Sequence, residues 1–174
     1  VKTIEIESAS GKYDSTVFSS EVLNQSIWLI NSDTFISKKM QYPTIENVEV
    51  LKDYPDKVIL VISEHAELIV ISDLRGTIPV RNVLYKNGLK IPSPEVSDLP
   101  TIVITNGPVE AGFNGELISL IMTFKNYNLD LSNLSFSYDG EKFKGVYRET
   151  LIDFGPPVDL GTKAAALGAL LEKS

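Results

Sequence analysis

The residues of this sequence that could do chemistry are few, and the first of them is His65, the only histidine. His65 lies between Glu64 and Glu67, and a histidine flanked by carboxylates can act as a general base. No nucleophile or second metal ligand lies at motif spacing from it. The chain has no cysteine, which excludes disulfides, thiolate nucleophiles and Cys-ligated zinc. We therefore expect His65 to be a surface residue.

A second group of polar residues has the spacing of a calcium loop. Asn128, Asp130 and Ser132 alternate like the first ligands of such a loop. However, Asn133 stands where the loop needs Gly, and Asp139 stands where it needs Glu. We expect a polar turn that leads into a strand, and no metal site.

Motifs of catalysis and phosphate binding are absent. Gly161-Thr162-Lys163 resembles the end of a phosphate-binding loop, but the full spacing is missing and Lys and Thr are reversed. No G-x-S-x-G, H-E-x-x-H or S-x-x-K sequence occurs. A glycosidase-type carboxylate pair needs only proximity in space, so an exported enzyme with such a pair remains an alternative. The sequence favours a protein without enzyme activity or cofactor.

Composition limits the class of protein. The 174 residues are 43% hydrophobic and 22% charged, which suits one large domain or two small ones with packed cores. A net charge of −7 argues against nucleic-acid binding. The longest unbroken apolar run is Val58 to Ile62, far short of a membrane span. The chain begins with Val1 rather than Met, so we expect a fragment whose targeting segment lies outside it.

The first part of the chain has the predicted order strand, helix, helix, strand, strand. Ser32 or Asp33 is expected to cap the second helix, which should stop before Pro43. Trp28 lies among apolar residues and is expected in the core, with a groove as the alternative. The predicted elements are strand Val1–Glu7, helix Val17–Ile30, a helix carrying Phe35, Ile36 and Met40, strand Ile45–Leu51, a turn at Tyr54-Pro55-Asp56-Lys57 and strand Val58–Glu64.

The strand Val58–Glu64 is apolar on both faces at its centre. Strands that are covered on both faces have this composition, so we expect this strand to lie inside a sheet.

Beyond Glu67 the pattern changes to short strands between turn residues. Asn87-Gly88 predicts a type I′ hairpin, in which both central residues have positive φ, and Pro92 and Pro94 mark a loop.

We expect an α+β chain with domains at residues 1–67 and 68–174. The second is predicted to be mainly antiparallel with two helices. Its elements are Leu68–Ile71, Ile78–Tyr85, Leu89–Ile91, Ile102–Thr105, a helix with Leu117, Leu120, Ile121 and Phe124 on one face, a hairpin of Leu134–Tyr138 with Phe143–Phe154, and a C-terminal helix after Gly161.

The first part resembles a POTRA domain, and its closing hairpin resembles that of the FtsQ/DivIB family of bacterial division proteins. In that family a Pro opens the turn, alternate apolar residues follow, and a Glu ends the strand. The positions are taken here by Pro55, Val58, Leu60, Ile62 and Glu64.

The second part resembles the same family in three places, in the same order. Ser72–Gly76 is similar to its short Asp…Gly hairpin, and Leu99–Ile102 to its Leu-Pro-x-Ile element. Val158–Gly161, followed by Lys163 and the leucines behind it, is similar to its late Leu-Gly strand end and Lys/Leu helix. The family has one further strand after this helix, so we expect a final strand to be missing from a chain that stops at Ser174.

The resemblance implies a non-catalytic scaffold of the division complex at the septum, on the extracytoplasmic face of the cell membrane. It implies an anchoring transmembrane helix outside this chain, and a partner that is a heterodimer of small single-span coiled-coil proteins. The family binds this partner through the late strands of the β domain. The candidate partner-binding residues here are Val146, Tyr147 and Arg148, within Phe143–Phe154, with strand addition as the expected mode.

Two alternatives remain open. The chain could be a POTRA-type module of an outer-membrane assembly or two-partner secretion machine, where POTRA domains occur in tandem or precede a membrane barrel. At the candidate site, Tyr147 could pack in the core and Arg148 could be merely solvated.

Overall fold

The computed structural model describes residues 1–93 and 98–174, and Pro94 of the predicted loop lies outside the described residues. The fold is α+β, as predicted. The described chain forms two compact units, Val1–His65 and Ala66–Ser174, divided two residues before the boundary expected from the sequence. Among the described residues, no helix has the length and apolar character needed to cross a bilayer.

The N-terminal unit has the predicted element order. The elements are β1 (Thr3–Ser8), α1 (Ser19–Val22), α2 (Ile36–Gln41), β2 (Ile45–Asp53) and β3 (Lys57–Glu64), with 3-10 helices at Ser15–Phe18, Ile27–Leu29 and Ser32–Phe35. The three β-strands form a sheet in which β3 lies between β1 and β2, parallel to β1 and antiparallel to β2. The central position predicted for the strand Val58–Glu64 is therefore confirmed.

The continuous helix predicted over Val17–Ile30 is wrong. The chain leaves α1 at Leu23 with ψ of 137°, and Asn24 adopts a left-handed φ of 63°. Asparagine tolerates this conformation better than most residues. The Asn24 N–H donates to the carbonyl of Val1 at 3.0 Å, so a contact with the residues just before β1 replaces a helical hydrogen bond.

The break also overturns the prediction that Trp28 is a core residue. Ile27 and Ile30 point into the core, whereas the indole of Trp28 is 74% exposed. Its ring lies against that of Tyr54, with centroids 5.0 Å apart.

The cap of the next helical segment is also different from the predicted one. Asn31, and neither Ser32 nor Asp33, precedes the first turn. Its side chain accepts from the Asp33 N–H at 2.9 Å, and its own N–H donates to the Thr34 hydroxyl at 3.1 Å. These reciprocal bonds form a capping box, which satisfies N–H groups that have no partner within the helix.

The core of the N-terminal unit lies between the helices and one face of the sheet. Phe18 and Phe35 meet edge to face with centroids 5.7 Å apart. Strand β3 contributes Val58, Leu60 and Ile62, all almost fully buried. The residues between them, Ile59 and Val61, are only partly buried and lie outside this core.

The C-terminal unit is built on a seven-stranded mixed sheet and two long helices. Its elements are β4 (Glu67–Asp73), β5 (Val80–Tyr85), β6 (Lys90–Pro92), β7 (Thr101–Ile104), α3 (Phe113–Phe124), β8 (Leu134–Tyr138), β9 (Phe143–Tyr147), β10 (Thr150–Gly155) and α4 (Leu160–Leu171). The strands lie in the order β10-β9-β8-β7-β4-β5-β6. The pairs β4–β7 and β7–β8 are parallel and the other four are antiparallel.

Helix α3 presents the predicted face. Leu117, Leu120, Ile121 and Phe124 are fully buried and belong to one core with the inward residues of the sheet. Helix α4 lies against α3, with Gly168 against the ring of Tyr127. The Tyr127 hydroxyl donates to the Ala165 carbonyl at 2.8 Å, which ties α4 to the segment after α3.

Two turns of this unit differ from the predicted ones. The β5–β6 hairpin is present, but only Gly88 has positive φ, at 89°, so the turn is not type I′. The Gly88 N–H donates to the Tyr85 carbonyl at 2.9 Å, which closes a three-residue loop. The arm predicted over Phe143–Phe154 is two strands, because the chain turns at Arg148, where φ is 55°.

Candidate interaction site at the sheet edge

Of the three predicted binding residues, Val146 and Tyr147 lie on an interior strand. Strand β9 pairs with β8 on one side and with β10 on the other. Tyr147 is 2% exposed, and its hydroxyl accepts from the Asp130 N–H at 3.2 Å. Tyr147 is therefore a core residue. Val146 is partly buried and lies on the opposite face of the strand.

Arg148 lies at the turn between β9 and β10 and is exposed. Its guanidinium carbon lies 5.2 Å from the centroid of the Tyr147 ring, a cation–π distance. Its Nη1 donates to the Ser174 carbonyl at 3.3 Å. These contacts hold a positive charge at the start of the last strand.

The edge of the sheet on this side is β10, Thr150–Gly155. Ile152 and Phe154 point into the core, while Leu151 is 81% exposed. In the described part of the chain no strand pairs with the outer side of β10. Its backbone therefore presents a row of N–H and C=O groups on that side, which is the feature that strand addition requires.

The opposite edge of the sheet differs from β10 in its length and in its lysine and proline content. Strand β6 has only three residues, Lys90–Pro92. Short edge strands, lysine and proline all hinder pairing with another chain, and proline has no N–H to donate. Strand β10 has six residues with neither lysine nor proline. Among the described residues, the sheet thus has one protected edge and one open edge.

A trough of about 490 Å³ lies on the outward face of β8, β9 and β10. It runs past the paired residues Ser135, Val146 and Leu151, and past Lys144 and Asp153. Small serines and the backbone of Gly145 leave room for an incoming apolar side chain. A Cβ on Gly145 would lie 3.0 Å from the Phe136 ring and 3.1 Å from the Phe154 ring on the other face, so glycine permits close ring packing there.

The end of β10 is held by Lys163 of α4. Its ammonium group donates to the carbonyls of Phe154 at 2.7 Å and Pro156 at 3.1 Å. The first N–H of the same helix, from Leu160, donates to the Glu116 carboxylate of α3 at 2.9 Å. The Leu-Gly and Lys motif noted in the sequence thus fixes where the open strand ends.

The other residues considered for chemistry have structural roles. Asp130 accepts from the Ser132 hydroxyl at 2.6 Å and from the Ser132 N–H at 3.2 Å, and these bonds lower the pKa of its carboxyl group. This is the predicted polar turn.

His65 is partly buried rather than fully exposed and lies beside Ile36, Met40 and Pro43. Across the described residues no three acidic or histidine side chains are placed to hold a metal ion.

The residue that the sequence analysis missed is Leu151. A signal for it was present, because Leu151 and Ile152 are consecutive apolar residues in one strand. Successive strand residues point to opposite faces, so one of the two must point away from the core.

Comparison with known families adds one finding. The family model for the POTRA domain, FtsQ-type, matches residues 1–65, which coincide with the N-terminal unit. A comparison with curated proteins gave no match. The sequence order, the three-stranded sheet with β3 at its centre, and the family match agree, so Val1–His65 is an FtsQ-type POTRA domain and the resemblance of this part of the chain to the FtsQ/DivIB family is confirmed.

Proposed function

We propose that this chain is the extracytoplasmic, non-catalytic part of a membrane-anchored scaffold of the bacterial division complex at the septum. The FtsQ-type POTRA domain supports a division-related protein-interaction module. It also favours division over the secretion alternative. The C-terminal unit, residues 66–174, is proposed as the β domain that binds the partner.

The observation that carries the proposal is the open edge of β10. Its length, its lack of proline and lysine, and the exposed Leu151 distinguish it from the protected β6 edge. A partner strand added here would gain main-chain hydrogen bonds from β10. An apolar side chain of that strand would enter the trough beside Leu151 and Val146.

Charge narrows the choice of partner strand. Arg148 precedes β10, and Lys144 faces the trough. Both residues are exposed. Lys144 is paired across the strands with Asp153, so an acidic residue next to the added strand would be attracted chiefly to Arg148, which improves orientation more than raw affinity. We propose that the partner is a heterodimer of small single-span coiled-coil proteins, as the family resemblance implies, and that an acidic, extended segment of it adds to β10.

Hydrogen exchange with and without the extracytoplasmic part of that coiled-coil heterodimer tests the proposal. We expect slower amide exchange in Thr150–Gly155 and no change in β6. Leu151→Asp should weaken binding by about tenfold or more, as for a central interface residue. Leu170→Asp is the matched control, since Leu170 is also an exposed leucine, at 65%, but lies on α4.

Protection confined to residues 1–65, with β10 unchanged, would refute the proposed binding mode. Equal losses of affinity in the Leu151→Asp and Leu170→Asp variants would refute it as well. Circular dichroism of both variants should show intact folds, because both side chains point into solvent.

A further inference from the structure

The outward face of the POTRA sheet has apolar residues at its centre. Strand β3 is central, and its inward residues complete the core with the helices. Its outward residues include Ile59 and Val61, which are partly buried and outside that core. A sheet face exposed to water normally carries polar residues. The apolar residues on this second face require an explanation.

The strand register shows what surrounds these residues. Ile59 lies between Glu5 of β1 and Leu51 of β2, and Leu51 is 42% exposed. The three apolar side chains Leu51, Ile59 and Val61 form a strip across the middle of the face, which we call the outer strip.

Acidic side chains flank the outer strip. Val61 lies between Glu7 of β1 and Glu49 of β2. Neither glutamate makes an ion pair in the described part of the chain. The one cation of this face within the three strands, Lys57, is already 2.7 Å from Glu5 and 4.0 Å from Asp53. One unpaired carboxylate, that of Glu7 or Glu49, therefore remains on each side of Val61.

We propose that the outer strip docks a basic amphipathic helix of a partner protein. The exposed face of a sheet is covered by a helix or a second sheet, whereas added strands use edges. Glu7 and Glu49 belong to strands on either side of β3, so their Cα atoms are two strand spacings, about 9.6 Å, apart. This matches the width of a helix, roughly 10–12 Å with its side chains.

The side chains required of the partner helix follow from the residues of the outer strip and the two glutamates beside it. An apolar stripe of the helix contacts Leu51, Ile59 and Val61, and lysine or arginine residues beside that stripe reach Glu7 and Glu49. An anionic lipid surface does not fit, because the same carboxylates repel it. An acidic helix is excluded for the same reason. This surface belongs to the POTRA domain and does not depend on the β10 edge.

Three synthetic peptides of about 18 residues, long enough to form helix, serve as probes on the whole chain. The first has a leucine stripe flanked by lysines, the second has glutamates in place of lysines, and the third is a shuffled form of the first. Binding is followed by NMR titration with methyl labelling. We expect the first peptide alone to bind and to shift the methyl signals of Leu51, Ile59 and Val61.

Charge reversal provides the matched variants. The double variant Glu7→Lys/Glu49→Lys should lose about tenfold in affinity, since two attractive pairs become repulsive. The control Glu110→Lys/Glu141→Lys makes the same change in net charge at exposed sites in the C-terminal unit and should bind normally. Leu151→Asp should also bind normally, which separates this surface from the proposed β10 site.

Several outcomes would overturn the inference. These are equal binding of the shuffled peptide, methyl shifts confined to other residues, and equal losses of affinity in both double variants. Failure of the coiled-coil experiment together with retention of peptide binding would refute the β10 site and leave the outer strip standing.

Discussion

The two units support their sheets with helices of very different length. In the C-terminal unit, α3 and α4 each have 12 residues and present continuous apolar faces. In the POTRA domain, α1 has four residues and α2 has six, linked by 3-10 turns. Isolated helices this short are not stable in water, so packing and individual hydrogen bonds must hold them. We therefore expect the POTRA domain to depend on its central strand more than the C-terminal unit depends on any one strand.

The sharpest test of this dependence is a charge on each face of β3. Ile62→Asp places a carboxylate in the core, where Ile62 is 4% exposed, and should cost about 3–5 kcal/mol of unfolding free energy. Val61→Asp lies on the partly buried outward face and should cost about 1–2 kcal/mol. Chemical unfolding followed by fluorescence measures this difference, since Trp28 is the only tryptophan and lies in the POTRA domain.

The control for this pair is the C-terminal unit, whose amide signals should be unchanged in the Val61→Asp variant. Equal and large losses for Val61→Asp and Ile62→Asp would contradict the placement of Val61. In that case the outward face would be buried, and the outer strip would not be available to a partner.

The comparison between units also explains what the sequence could predict. Helix α3 was predicted with its buried face because four apolar residues repeat over about two turns, and β8 was predicted at its observed bounds, Leu134–Tyr138. The break at Asn24 was missed because it depends on a hydrogen bond to Val1, far away in the sequence. Periodicity predicts long elements well and short, tertiary-anchored ones poorly.

The same limit applies to the candidate site. Alternation in β9 shows that Val146 and Tyr147 face opposite sides, but not which side is the core. The turn at Arg148 has positive φ without the glycine or asparagine that would have signalled it. Without that turn, Phe143–Phe154 was predicted as one arm, and the edge strand within it was not recognised.

A second prediction tests whether close helix packing is what stabilises the C-terminal unit. An added Cβ at Gly168 would overlap the ring of Tyr127, whereas Gly115 in α3 has open space around it. Alanine is a better helix former than glycine by roughly 1 kcal/mol, so Gly115→Ala should stabilise the unit by up to that amount. Gly168→Ala should instead destabilise it by about 1–3 kcal/mol, because overpacking outweighs propensity.

Thermal unfolding by calorimetry measures both glycine variants. The two substitutions make the same chemical change in helices of equal length, so each is the control for the other. Stabilisation by both would contradict the contact between Gly168 and Tyr127.

A smaller effect is expected at Trp28 in the POTRA domain. Since the indole is 74% exposed and contacts Tyr54, Trp28→Ala should cost only about 1 kcal/mol. Phe35→Ala, at a fully buried ring, is the matched aromatic truncation and should cost about 3–5 kcal/mol. Circular dichroism during urea unfolding reports both variants. A cost for Trp28→Ala as large as that for Phe35→Ala would restore Trp28 to the core.

The smallest effect on stability is expected for a surface ion pair in the C-terminal unit. Asp73, at the end of β4, accepts from Arg75 Nε at 2.9 Å and from Nη2 at 2.6 Å, and these bonds lower the pKa of its carboxyl group to about 2. Because the folded pKa lies below the ordinary value of 3.8, the pair stabilises the fold above about pH 4, and this contribution disappears as the pH falls towards 2.

Arg75→Met should return the pKa of Asp73 towards 3.8 and remove at most about 1 kcal/mol of unfolding free energy at neutral pH, since the pair is on the surface. Carbon-detected NMR titration of the carboxylates measures the shift, with Asp139 as the internal control, because backbone N–H groups of Lys142 and Glu141 lower its pKa independently of Arg75. An unchanged pKa of Asp73 in the variant would show that Arg75 is not its partner in solution.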